Sequence, residues 1–156
     1  MLTSSAPLGR TVDASEPPNF RDTAQRAAGS DASGPGRRTS RPPSFLVVED
    51  YWHIANAIRM ALKEAGLTEV ATVGSLQKAD MLLDKGYPDV AIVDLNIKGQ
   101  SSVTLIERLV RAEVKVIVIS GYANLENLNV PVAATMKKPV TAETLLGAVR
   151  KLIGHA

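Results

Sequence analysis

The chain has 156 residues, no cysteine and a formal charge of +2. That length suits one domain with a tail and can bury a sizeable core, while the missing cysteines exclude a disulfide framework and any thiolate metal site. The charge excess belongs to residues 1–43, where six arginines face four acids; residues 44–156 balance 12 basic against 12 acidic side chains.

Residues 1–43 also carry six of the nine prolines, and their only large apolar residues are Met1, Leu2, Leu8, Val12 and Phe20. Such a segment buries too little surface to offset the entropy of ordering it. It is expected to be a disordered tail, a tether or weak electrostatic arm, with the domain spanning 44–156. Its arginines are dispersed and Phe20 is the one aromatic residue among them, so no nucleic-acid site is expected. No apolar segment of signal-peptide type follows the start, and no run approaches roughly 18 apolar residues. The sequence thus predicts neither secretion nor a membrane span, and a cytoplasmic location.

From Ser44 the pattern changes. Residues 45–48 form a first apolar run. Ile54, Ile58, Ala61, Leu62 and Ala65 then recur at helical spacing, with Gly66 as a stop. A second run covers 70–73, and Ser75 is placed to cap a helix over 76–85 that ends at Gly86. After a third run at 90–93, Ser101 or Ser102 caps a helix with Leu105, Ile106, Leu109 and Val110 inward. Residues 114–119 make the fourth run. Residues 121–131 hold Asn124, Asn127, Asn129 and Pro131, which predicts a short or irregular fourth helix. A fifth run at 132–136 precedes Thr141, the cap of a last helix with Leu145, Val149, Leu152 and Ile153 inward. Most of the runs are rich in Val or Ile and do not alternate with polar residues, as strands buried on both faces do. The order of elements predicts an α/β fold: a doubly wound, five-stranded parallel sheet with right-handed crossovers.

In such folds ligands bind beyond the carboxyl ends of the strands. Glu49 and Asp50 follow the first run, Asp94, Leu95 and Asn96 the third, Ser120 and Gly121 the fourth, and Lys137, Lys138 and Pro139 the fifth. Three acids, a hydroxyl and a lysine are therefore expected on one rim. Carboxylates held close repel unless a cation joins them, and oxygen ligands few in number suit Mg²⁺. A lysine can neutralise a bound phosphoryl group, and a carboxylate can act as nucleophile to form an acyl phosphate. The expected chemistry is metal-assisted phosphoryl transfer.

The segments FLVVED, AIVDLNIKG, VIVISGYA and MKKPV resemble the receiver domain of bacterial two-component response regulators, in order and spacing, over about 44–153. The resemblance implies a flavodoxin-like (βα)5 fold, with Asp94 as phosphoacceptor for a histidine kinase or histidine phosphotransfer protein. It further implies Asp50 as the main Mg²⁺ ligand, with Glu49, Asp94 and the Asn96 carbonyl beside it. Ser120 would be the switch hydroxyl and Lys138 the phosphoryl-binding lysine, joined to Pro139 by a cis peptide. The protein would be a signalling phosphoacceptor and not an enzyme, beyond slow autodephosphorylation.

A narrower likeness, carried by SGY at 120–122 and IKGQSS at 97–102, is to the stand-alone receivers called the FAT GUY group. Only one helix fits after Lys138, so output is expected through contact with a downstream protein or through a phosphorelay. The sequence departs from the usual pattern at Thr135, where receivers carry an aromatic residue coupled to the switch hydroxyl; Tyr122 is a possible substitute. The segment 120–131 is the expected bistable element. Two alternatives stand beside this reading. One is a pseudo-receiver that binds proteins without phosphorylation. The other is a phosphatase with an aspartyl nucleophile, against which Asn96 stands where those enzymes carry a second acid.

Overall fold

The computed structural model describes residues 18, 20, 21, 41–121, 125 and 128–154. In chain order the elements are β1 (Ser44–Val48), α1 (Trp52–Glu64), β2 (Glu69–Val73), α2 (Leu76–Leu83) and β3 (Val90–Asp94), followed by the short β4 (Asn96–Ile97) and β5 (Gln100–Ser101). Then come α3 (Val103–Arg111), β6 (Lys115–Ser120), β7 (Ala134–Lys137) and α4 (Ala142–Ile153). The five main strands pair in the order β2-β1-β3-β6-β7, all parallel.

The uninterrupted apolar runs are explained by the layers they separate. Successive residues of a strand point to opposite faces. In β1, Phe45 and Val47 therefore join Ile58 and Leu62 of α1 and Leu145 and Val149 of α4. Leu46 and Val48 join Ala79 and Leu83 of α2 and Leu105 and Leu109 of α3 on the other face. Each fully buried aliphatic side chain contributes about 1.5–3 kcal/mol, so the three central strands anchor the fold. The helix caps follow the sequence at two places: Ser75 accepts from the Lys78 N–H, and Thr141 from the Thr144 N–H. Gly66, at φ +84°, follows α1 where a left-handed residue is needed.

Three local features differ from expectation. Residues 96–101 form an antiparallel hairpin, with Lys98 and Gly99 both at positive φ in its turn. The last strand begins at Ala134, two residues later than the apolar run. The fourth helix was expected within 121–131; residues 122–124, 126 and 127 lie outside the described set, and the Leu128 N–H donates to the Leu125 carbonyl at 3.3 Å.

A further difference concerns the amino-terminal segment. Phe20 and Arg21, expected to be disordered, are docked on the domain: Phe20 is buried, and Arg21 forms an antiparallel bridge with Tyr87. The aromatic ring finds enough apolar surface on the domain to overcome the poor composition around it. The rest of 1–40, apart from Pro18, lies outside the described residues.

Candidate functional site

Strand register brings the rim together. Val48 pairs with Val93, so Glu49 emerges level with Asp94; Asp94 pairs with Ile119, and Ser120 with Lys137. The sheet reverses its winding at β1 and β3, where a crevice opens at the carboxyl ends. Glu49, Asp50 and Asp94 converge there, with one carboxylate oxygen from each lying within 4.8 Å of the others.

Each acid is held by specific donors. Glu49 is buried and accepts from the Tyr51 N–H at 3.2 Å. Asp94 Oδ1 accepts from the Asn96 N–H at 3.1 Å, and the Lys98 N–H donates to Asp50 Oδ2 at 3.0 Å. The hairpin thus turns backbone donors toward two of the acids, and Gly99 secures it by donating to Asn96 Oδ1 at 2.9 Å. Lys138 Nζ bridges Asp94 Oδ2 and Glu49 Oε2, at 2.6 and 3.0 Å.

The electrostatics follow from this packing. Burial pushes the Glu49 carboxyl up to about 6, against the opposing hydrogen bonds from Lys138 and the Tyr51 N–H; the Asp94 charge adds to the rise. Burial would also raise Asp50, but the Lys98 N–H and other hydrogen bonds outweigh it and hold Asp50 below the usual carboxylate range. Burial works against the Lys138 ammonium, yet its two carboxylate partners raise it above the ordinary lysine value. Lys138 pairs with two of the three acids and leaves Asp50 unbridged. Asp50 Oδ1 is buried without a hydrogen-bond partner. A buried acceptor so placed, beside two other carboxylates, fits a hard divalent cation.

The other expected residues fall around this centre. Ser120 is buried at the end of β6, where its carbonyl accepts from the Lys138 N–H at 2.8 Å. The Lys138–Pro139 peptide is cis. Asn96 is exposed in the hairpin, and Thr135 is exposed on β7 opposite Val118. Tyr122, and with it much of the segment 120–131, lies outside the described residues.

Two contributors escaped the sequence reading. Ser102 occupies the cap position of α3, but its hydroxyl makes no cap; it donates to the Asp94 carbonyl at 2.6 Å, fully buried. Lys98 supplies its backbone N–H from a left-handed conformation that its residue type does not announce. Tyr51 and Trp52, at 58% and 76% exposure, stand at the mouth of the site. Trp52 lines a cavity of about 270 Å³ with Glu49, Asp50, Asn56 and Arg59.

Comparison with known proteins agrees with this fold. The C4-dicarboxylate transport transcriptional regulatory protein DctD of Pseudomonas aeruginosa is 29% identical over 119 residues, 69% of this chain and 24% of that protein. The chain therefore spans about a quarter of that relative's length. A response regulator receiver domain protein (CheY-like) from Methanospirillum hungatei is 26% identical with a TM-score of 0.66, over 72% of this chain and 95% of that one. A response regulator from Burkholderia pseudomallei, crystallised with a phosphorylated aspartic acid, a calcium ion and citrate, shares the fold. It is 23% identical with a TM-score of 0.62, over 69% of this chain and 66% of that one. Residues 45–150 match the response regulator receiver domain, the family to which this chain belongs.

Proposed function

We propose that the domain accepts a phosphoryl group on Asp94 from a histidine kinase or histidine phosphotransfer protein and signals through protein contact or a phosphorelay. The observation that carries this reading is the convergence of Glu49, Asp50 and Asp94, with Lys138 bridging Glu49 and Asp94 and with Asp50 Oδ1 buried and unpartnered beside them.

In the proposed reaction an Asp94 carboxylate oxygen forms the new bond to phosphorus. The bond from phosphorus to the donor's imidazole nitrogen breaks, and the imidazole leaves with its electron pair. Lys138, already 2.6 Å from Asp94, exchanges its carboxylate contact for a phosphoryl oxygen and offsets the charge that arrives. The Ser120 hydroxyl donates to the same group. Glu49, Asp50, Asp94 and the Asn96 carbonyl would hold Mg²⁺, which lowers the repulsion between the carboxylates and the incoming phosphate. Turnover of a separate substrate is not part of this reading; hydrolysis of the acyl phosphate is slow.

Switching is assigned to Ser120, with Tyr122 in place of the aromatic residue that Thr135 lacks, and with Pro139 fixing the turn beyond Lys138. The narrower FAT GUY likeness, a single-domain form and a cytoplasmic location belong to the same reading. No helix among the described residues is long and apolar enough to cross a membrane.

The test is incubation with Mg²⁺ and acetyl phosphate, followed by intact-mass measurement. The wild type gains one phosphate and Asp94→Asn gains none. Label that persists in the variant, or its absence from a wild type that fails to bind Mg²⁺ at millimolar concentration, rejects the reading; the latter favours a pseudo-receiver.

A further inference from the structure

At the end of the sheet opposite the acidic rim, two residues of the amino-terminal arm pack on the domain. Phe20 is buried in the core cluster that contains Ala79 and Leu83 of α2 and Leu109 of α3. The following residue pairs with the segment entering β3: Arg21 N–H donates to the Tyr87 carbonyl at 3.1 Å, and Tyr87 N–H to the Arg21 carbonyl at 2.9 Å. Arg21 Nε lies 3.5 Å from Asp89 Oδ1.

The domain side is shaped for this contact. A Cβ added to Gly86 would lie 2.8 Å from the Arg21 carbonyl oxygen and 2.9 Å from that of Phe20, so glycine is what lets the backbones approach. Asp89 also receives the far end of the segment. Its Oδ2 lies 3.6 Å from Arg41, and it accepts from the Ser44 N–H at 2.8 Å. Tyr87 is itself anchored by Arg108 of α3, whose Nε donates to the Tyr87 hydroxyl at 3.2 Å.

We propose that Gly86, Tyr87 and Asp89 form a docking site for an extended aromatic–basic segment, and that the chain's own Phe20–Arg21 fills it as a clasp. Arg21 and Arg41 both reach the Asp89 carboxylate, at 3.5 and 3.6 Å. The folded unit is larger than the family match of 45–150, because it includes a side chain from the amino-terminal arm.

Amide hydrogen exchange on the full-length protein tests this. The Tyr87 amide is informative because its acceptor lies in the arm. In the wild type the Arg21 and Tyr87 amides should be protected, and Phe20→Ala should lower that protection by about tenfold or more. Arg21→Pro removes the arm's donor and changes no residue of the sheet, so it reads the same contact should Phe20→Ala fail to fold. Light scattering on the same samples should give a monomer. A Tyr87 amide that exchanges like a free one, or that neither variant affects, overturns the clasp. A dimer that depends on Phe20 means the arm docks on a second copy, and overturns the intramolecular clasp.

Discussion

Lys138 Nζ lies 2.6 Å from Asp94 Oδ2, with its side chain largely withdrawn from solvent. The same ammonium holds Glu49 at 3.0 Å, so it is the counter-charge through which two buried acids coexist. Removing one partner of such a cluster leaves the others uncompensated. In metal-free buffer at pH 7.5, Lys138→Ala should lower unfolding free energy by about 2–4 kcal/mol, read from urea denaturation. The deficit should shrink at pH 5, where Glu49 carries a proton. A deficit below about 0.5 kcal/mol, the range of ordinary surface changes, would show that the ion pairs are dispensable.

Asp50 is the acid that Lys138 does not bridge, and one of its oxygens has no partner. Ligand binding stabilises a fold by about 2.7 kcal/mol at a hundredfold excess over Kd. The wild type should show this gain with Mg²⁺, and Asp50→Asn should lose most of it. Equal Mg²⁺ stabilisation in both proteins would place the ion elsewhere.

Glu49 sets a pH dependence. Its carboxyl is raised from 4.5 to about 6 in the folded state, chiefly by burial. For the metal-free protein, the stability linked to this proton is fully present below pH 4.5 and is lost as pH rises through 6, on the order of 2 kcal/mol. Mg²⁺ affinity should run the other way, weakening as pH falls through 6, because the ligand must be ionised. Calorimetric titration in buffers of different ionisation enthalpy would detect the proton released near pH 6. Affinity that stays flat between pH 5 and 7 would exclude Glu49 from the ligand set.

Ser102 ties the start of α3 to the strand that carries Asp94. Its buried hydroxyl donates to the Asp94 carbonyl at 2.6 Å. Ser102→Ala leaves that carbonyl without this donor, at a cost of about 1–3 kcal/mol. Acetyl phosphate labelling of Asp94 should slow as the carboxylate loses its fixed position. Unchanged stability and labelling would reduce Ser102 to a spacer.

Much of this architecture is legible in the sequence. Runs such as 90–93 are legible because central parallel strands are buried on both faces and tolerate only apolar side chains. Glu49, Asp50, Asp94 and Lys138 are legible as the polar residues that end those runs. Other features depend on partners distant in the chain. Phe20 stands alone among prolines and polar residues, with no periodicity to mark it, and its site is assembled from the Gly86 turn and two helices. The hairpin at 96–101 turns through Lys98, a residue with no preference for positive φ; only Gly99 signals it. Ser102 looks like a helix cap because local sequence shows the helix and not the carbonyl beside it. The late start of β7 follows from a local turn, in which the Val132 N–H donates to the Val130 carbonyl at 2.8 Å and not to β6.

The placement of Trp52 has a practical consequence. It is the chain's single tryptophan, 76% exposed, on the wall of the cavity that Glu49 and Asp50 also line. Its indole sits where charge would change as ions and phosphate arrive and leave, so the protein carries its own optical reporter. Intrinsic fluorescence can follow occupancy of the acidic rim in real time without an attached dye.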